Sequence, residues 1–335
     1  MTDASIPPGP VSSRATIAVE RWPLIDAARG AAIVAMIIYH FSWDLHFHGL
    51  IATDIARHPA WSSFAASIAA SFLMLVGAGF ALGARGGLDR SRYLRRLAII
   101  AGAATLVTLG TAIAMPHAPV LFGILHCIAL SSVFIAPFLR APIAIAAAAA
   151  IIVFVLPSAA RSPRFDGAAW TWLGLADRNL PSVDHVPMLP WFGFVLVGLA
   201  AARALIELDA LTSLRAVMRD WRAASRPTRL LIAMGRWSLV IYLTHQLVLN
   251  ALIWPFAPPV PQRAEIDDAS SFRSACEQSC KPTGGVDSCR AFCACAIDKL
   301  RPTPLWANIL RDNVTPDLQS KIADVTKQCA PAAAK

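Results

Sequence analysis

Blocks of about 20 consecutive residues, apolar and almost free of charge, recur along this chain. That is the helical length needed to cross a hydrocarbon layer roughly 30 Å thick. Seven such blocks run over Ala27–Trp43, Trp61–Ala84, Leu97–Met115, Leu121–Leu139, Ala141–Leu156, Met188–Ile206 and Leu230–Trp254. The fourth and fifth are separated only by Arg140, which reads as a tight helical hairpin. Composition excludes an ordinary soluble protein: 15% of the residues are charged, against roughly 25% in soluble domains. Backbone polar groups in lipid must pair within their own segment, so the blocks are expected to be helices. A membrane β-barrel would instead show alternating segments of about ten residues, and that pattern is absent. The polar start, Ser5 to Arg21, lacks the pattern of a cleaved leader, so the first block is expected to stay as an anchor.

The excess of basic residues sets the expected orientation. Arg85, Arg90, Arg92, Arg95 and Arg96 lie between the second and third blocks, with Asp89 as the one acid. Arg215, Arg219, Arg222, Arg226 and Arg229 lie between the sixth and seventh, whereas Asp44–Ala60 holds one Arg and two Asp. Arg-rich loops stay in the cytoplasm, so seven spans place the N-terminus inside and the tail outside. The cysteines point the same way. Cys276, Cys280, Cys289, Cys293, Cys295 and Cys329 crowd into the tail, an even set that reads as a disulfide framework of an oxidising compartment. Bridges are expected between the first two cysteine segments, with Cys329 closing the last helix, because four residues along one helix leave Cα atoms near the limit of disulfide reach. A metal reading of Cys293-Ala-Cys295 conflicts with that orientation, and no metal is expected. Cys127, inside an apolar block, reads as a small core residue. Helices are expected over Ser271–Gln278, Ser288–Leu300 and Pro316–Gln328, after a stiff connector bearing Pro255, Pro258, Pro259 and Pro261. The fold expected is all-α: a polytopic transmembrane bundle of about seven spans, N-in and C-out, with a small helical disulfide-linked C-terminal domain.

Ionisable groups within the bilayer are costly, so each is a candidate for function. Asp26 and Arg29 are three apart at the start of the first block, and an anchoring pair explains them as well as a pocket does. His40 and Asp44 are four apart, a spacing that lets a carboxylate orient an imidazole as a general base. His46, His48, Asp54 and His58 follow within twenty residues, and His46 and His48 are expected on the exposed part of the loop. His126 and His245 fit a polar pocket, a pore or haem ligation, and equally two satisfied core histidines. Arg92, Arg95 and Arg96 could grip phosphates, although most such clusters only set topology.

Taken in order, these residues resemble a known family. Asp26-Ala-Ala-Arg29-Gly30, the His40-Phe-Ser-Trp-Asp44-Leu stretch, Arg92-x-x-Arg95-Arg96 and Phe122-Gly-Ile-Leu-His126 are similar to bacterial relatives of the lysosomal heparan-α-glucosaminide N-acetyltransferase catalytic domain. Gly235-Arg-Trp-Ser-Leu-Val-Ile-Tyr-Leu-Thr-His245 resembles a helix of the wider transmembrane acyltransferase superfamily. The resemblance covers most of the membrane part and none of the cysteine-rich tail. It implies acetyl transfer from cytoplasmic acetyl-CoA, as co-substrate, to an amine or hydroxyl of an extracytoplasmic glycan or lipid-linked sugar. Arg92, Arg95 and Arg96 would meet the CoA phosphates. His40, or His58 in His58-Pro-Ala-Trp61, would be the catalytic histidine, assisted by Asp44. The larger members have ten or eleven spans, so closing an acyl-CoA tunnel with seven invokes a homodimer.

The organisation expected is a cytoplasmic tail over 1–22, a transmembrane acyltransferase-like domain over 23–258 and a periplasmic Cys-rich helical domain over 259–335. The setting expected is a bacterial inner membrane, with membrane lipids as partners and no nucleic acid. Two other readings compete: a haem- or metal-linked redox protein using His40, His126 and His245, and a transporter or assembly factor whose tail binds a partner.

Overall fold

The computed structural model describes residues 22–257 apart from 52, 57, 86, 88, 117 and 179, and residues 269–329 apart from 270, 271, 274, 278, 281–284 and 311–314. Most of the expected N-terminal tail, and Pro258, Pro259 and Pro261 of the connector, lie outside the described residues. The described secondary structure is helical throughout. The helices are α1 (Pro23–Phe47), α2 (Pro59–Ala84), α3 (Arg90–Ala114), α4 (Ile124–Phe134), α5 (Ile143–Ala160), α6 (Met188–Glu207), α7 (Thr212–Asp220), α8 (Arg226–Arg236), α9 (Ser238–Ile253), α10 (Val286–Leu300), α11 (Leu305–Leu310) and α12 (Pro316–Lys327). Six are long and apolar enough to cross a membrane: α1, α2, α3, α5, α6, and α9 with its extension to Phe256.

Two of the seven expected blocks differ in detail. The fourth is an 11-residue helix, α4, followed by a 3-10 turn over Ala136–Leu139. Pro137 in that turn cannot donate to a helical ladder. The seventh breaks at Trp237, which ends α8 before α9 begins at Ser238.

The chain divides into two compact units, Met1–Ala35 with Ala66–Leu243, and Met36–Ala65 with Thr244–Lys335. α1 and α9 each contribute to both units. In the first unit α6 is the central helix: half of its apolar window is buried, against 17–28% for the other five spans. Val195, Leu196 and Leu199 of α6 pack with Leu73 and Phe80 of α2, Ile124 and Cys127 of α4, and Ala146 and Ala150 of α5. Leu106, Leu109 and Ile113 of α3 and Ile151, Ile152 and Val155 of α5 are exposed, as lipid-facing surfaces should be. α4 runs antiparallel to α3. Thr108 meets His126 near the start of α4, and the Tyr93 hydroxyl donates to the Ser132 carbonyl near its end, at 2.9 Å. Arg203 of α6 ties down the α4–α5 junction by donating to the Phe138 and Ala141 carbonyls while pairing with Glu207.

In the second unit the tail is stapled by Cys276–Cys293, Cys280–Cys289 and Cys295–Cys329, with Cα–Cα distances of 5.9, 5.7 and 5.7 Å. Bridging between the cysteine segments, with Cys329 closing the last helix, is therefore as expected. A small core of Ala296, Ile297, Leu300 and Trp306 packs on Phe272, whose ring lies 5.1 Å from that of Trp306. A domain of this size buries little apolar surface, and the bridges supply what the core cannot. The expected first tail helix has its named ends, Ser271 and Gln278, outside the described residues, and α11 is an addition to the expected set.

Candidate active site

A cavity of about 600 Å³ opens in the first unit at the end where α1, α3 and α9 begin. Arg29, Arg92, Arg95, Arg96 and Arg236 line it against one carboxylate, Asp26. Beyond them its wall turns apolar with Ile33, Val76, Ile100, Leu125 and Ile128. Asp26 bridges two of the guanidiniums, at 3.2 Å from Arg29 and 3.4 Å from Arg236. Asp89 caps α3 by accepting from the Ser91 and Arg92 amides, and the Ser91 hydroxyl holds its carboxyl below the usual range. That cap sets the first turn of α3, from which the next turn presents Arg95 and Arg96. Arg96 lies 4.9 Å over the Phe80 ring. Trp22, which also lines the cavity, is 3% exposed, and its buried indole N–H has no hydrogen-bond partner. Two glycines permit this geometry. A Cβ at Gly235 would sit 1.8 Å from the Asp26 carbonyl oxygen, and one at Gly30 would sit 1.9 Å from that of Leu231. The backbones of α1 and α8 therefore touch, which brings Arg29 and Arg236 to the same carboxylate. Five cations over an apolar slot fit an amphiphile with a polyphosphate head.

His126 is a satisfied structural residue. Its Nδ1 accepts from the Gly123 amide at 3.3 Å, which leaves Nε2–H to donate to Thr108 Oγ1 at 3.2 Å. Thr108 in turn donates to the Val120 carbonyl at 2.7 Å. Asp184 completes this end of α4 by accepting from the Ile124 amide at 3.0 Å and from the Tyr242 hydroxyl. Burial pushes the Asp184 carboxyl above the usual range, and these two hydrogen bonds oppose the shift. Asp184 thus fastens a cavity-lining tyrosine to the start of a cavity-lining helix.

The second unit holds a polar ladder along α1 and α9. The His40 and His245 rings are 4.8 Å apart between centroids. One turn further along α1, Asp44 Oδ1 accepts from Gln246 Nε2 at 2.5 Å. One turn beyond that, His48 Nε2 donates to Asn250 Oδ1 at 2.9 Å, and Asn250 also donates to the Gln246 carbonyl at 3.0 Å. Partners that advance together along both helices mean that α1 and α9 run parallel here. The expected pairing of Asp44 with His40 is replaced by pairing with Gln246. His48 is 2% exposed, against the expectation of an exposed loop position. The reason is length: α1 continues four residues past Trp43, and the His48 amide still bonds to the Asp44 carbonyl at 2.8 Å. His46 is partly buried, its Nδ1 donating to the Ile51 carbonyl at 3.4 Å.

His58 is exposed just before α2, its amide bonded to the Asp54 carbonyl at 3.0 Å. No hydrogen bond or ring contact joins its imidazole to His40. Trp61 does reach this region, its ring 6.3 Å from that of Tyr39. Two imidazoles trans on a haem iron, each bonded at about 2 Å, keep their centroids on the order of 6 Å apart. The His40–His245 spacing is shorter, so this pair does not fit that ligation. Gln246 and Asn250 were missed by sequence reasoning, although two amides four apart in an apolar span are a readable signal. Trp22, Arg236 and Asp184 carried no such signal, being ordinary at a membrane interface or in a loop.

Fold and site together define a multi-pass helical membrane protein with an arginine-lined cavity and a facing pair of histidines. Residues 21–247 match the family model described as heparan-α-glucosaminide N-acetyltransferase, catalytic, and the chain belongs to that family. That membership points to a transmembrane acetyltransferase. No curated protein and no solved structure matches the chain.

Proposed function

We propose that this protein takes acetyl from acetyl-CoA at the cytoplasmic face and delivers it to an amine or hydroxyl of a glycan or lipid-linked sugar on the other face of an inner membrane. The observation that carries this reading is the cavity with five arginines at its rim and an apolar wall. Coenzyme A has complementary chemistry in the same order: phosphates on the adenosine and pyrophosphate, then a thin pantetheine arm. Arg29, Arg92, Arg95, Arg96 and Arg236 would hold the phosphates through charge-assisted hydrogen bonds, and Ile33, Val76 and Leu125 would flank the arm.

His40 is the acid–base residue in this reading. Among the described residues no carboxylate pairs with it, so its imidazole is available to take the proton of the attacking N–H or O–H. The nucleophile adds to the thioester carbonyl carbon, the C–S bond breaks, and the leaving CoA thiolate takes that proton from the imidazolium. The thioester supplies the driving force, so no further energy source enters.

Incubation of the purified protein with labelled acetyl-CoA and sugar acceptors tests the reading, with label expected on the acceptor. Replacing Arg95 and Arg96 together with Gln should weaken CoA binding tenfold or more while membrane insertion stays intact. Unchanged CoA binding at low salt would reduce these arginines to topology determinants.

A further inference from the structure

The segment between α6 and α9 carries a surface that the helical core does not use. α6 ends at Glu207 and α9 begins at Ser238, and both are long and apolar enough to span a membrane. α7, four residues past α6, is therefore tethered at the bilayer surface. Along α7 and its flanks, Leu211, Leu214, Met218 and Trp221 recur at three- and four-residue intervals, and Val217 widens the stripe. Leu214 is 51% exposed and Val217 65%, so the protein leaves much of this stripe uncovered. Trp237, between α8 and α9, is also exposed, at the headgroup level that indole rings favour.

The charge beside the stripe has one sign. Arg215, Arg219 and Arg222 repeat at the same intervals, and Arg226 and Arg229 follow in α8, whose first turn holds no acid. Over residues 208–230 five arginines stand against Asp209 and Asp220. Arg215 donates to the Ile206 carbonyl, and Arg219 pairs with Asp220. Arg222, Arg226 and Arg229 are exposed, and among the described residues none of the three pairs with a carboxylate.

We propose that α7 and the start of α8 form a docking surface for anionic phospholipid. The apolar stripe enters the boundary between headgroups and acyl chains, as basic amphipathic helices do. Arg222, Arg226 and Arg229 take lipid phosphates through charge-assisted hydrogen bonds. Continuity with two spans selects the leaflet over a soluble acidic partner, because the stripe is already held against the bilayer. A zwitterionic headgroup carries its own ammonium, so only an anionic lipid supplies the net charge that this surface matches. The far end of α8 brings Gly235 and Arg236 to the arginine cavity, and docked lipid steadies the helix that completes that rim. The binding does not depend on the acetyl-transfer reading.

Phosphatidylglycerol and phosphatidylcholine are titrated against the full-length protein in detergent, and bound lipid is counted by native mass spectrometry. Each cation at an anionic surface contributes about fivefold, so phosphatidylglycerol is expected to bind at least tenfold more tightly. Arg222→Gln, Arg226→Gln and Arg229→Gln together should bring the two lipids within twofold of each other. Arg95→Gln with Arg96→Gln should leave the preference intact, which separates this surface from the cavity. A wild type without the preference overturns the proposal, and so does a triple variant that keeps it. A preference lost only with Arg95 and Arg96 overturns it too, by placing the headgroup in the cavity. The stripe is read independently in phosphatidylglycerol nanodiscs, with every arginine in place. A nitroxide on Leu214→Cys should collide more with dissolved oxygen than with a water-soluble nickel complex. On Thr212→Cys, across the helix, the order should reverse. Equal water exposure at both positions overturns membrane docking and leaves the stripe to a soluble partner.

Discussion

Three histidines in the apolar spans divide by what their nitrogens touch. His126 has both nitrogens engaged, by Gly123 and Thr108, whereas His40 and His245 face each other with a ring contact. The two environments separate structure from chemistry. His40→Ala should reduce acetyl transfer by roughly 10²-fold or more, as loss of a general base does, with little change in CoA binding. His126→Ala should instead remove a cap from the start of α4 and cost about 1 kcal/mol of stability, while activity per folded molecule stays near wild type. A thermal melt beside a turnover assay reads both. The reverse pattern, a stable but inactive His126→Ala and an active His40→Ala, would reassign the base. At this scale the sequence was legible wherever a polar residue interrupted a span, as at His40, Asp44 and His245. It was silent on partners. The His40–Asp44 spacing allowed one pairing, and the amide at Gln246, adjacent to His245, took the carboxylate instead. Asp184 was invisible because an acid in a loop carries no sign that it will be buried.

Helices meet in this protein where one backbone can reach another. Gly30 and Gly235 are motif residues whose missing side chains let α1 lie against the C-terminal half of α8, and so set Arg29 and Arg236 around Asp26. Adding a methyl group at either position meets carbonyl oxygens that belong to helix backbone and cannot rotate away. Gly235→Ala and Gly30→Ala should each destabilise by about 1–3 kcal/mol, the range for overpacking. Each should also weaken CoA binding several-fold although neither glycine carries a charge. Gly167→Ala, where a Cβ meets open space, is the matched control and should change neither. Equal CoA affinity in all three variants would show that the arginine cavity does not depend on the α1–α8 contact. The apolar blocks located six of these elements, although α3 starts seven residues before its block and α9 eight residues after its block begins, because hydrocarbon thickness fixes a length and lipid tolerates no other backbone. The same rule could not see the shortness of α4, since tertiary hydrogen bonds from Asp184 and Arg203 hold its start and the turn after its end.

Taken as one chain, the topology turns on whether α4 counts as a crossing. Its 11 residues rise about 16 Å and the 3-10 turn after it about 8 Å more, a little short of the hydrocarbon layer. Contacts show that it nevertheless returns the chain. Its start lies beside Thr108, toward the end of α3, and its far end lies beside Tyr93, in the first turn of α3. On the reading proposed above, six long helices plus this return make seven passes, an odd number that would put the arginine-rich loops and the tail on opposite sides. Were α4 not a pass, the three bridges would share a compartment with the arginine cavity, which the acetyl-CoA reading places on the cytoplasmic side, where thiols are kept reduced. A cysteine introduced at Ala224 should therefore react with a membrane-impermeant maleimide only after permeabilisation. One introduced at Gly167, between α5 and α6, should react in intact cells. Six tail thiols should stay blocked until a reductant is added, since Cys276, Cys280, Cys289, Cys293, Cys295 and Cys329 are all bridged. Labelling of the Ala224 position from outside, or free tail thiols in the untreated protein, would invert the molecule in the membrane. It would then place the arginine cavity on the side that lacks CoA and remove the physical basis for transfer across the bilayer.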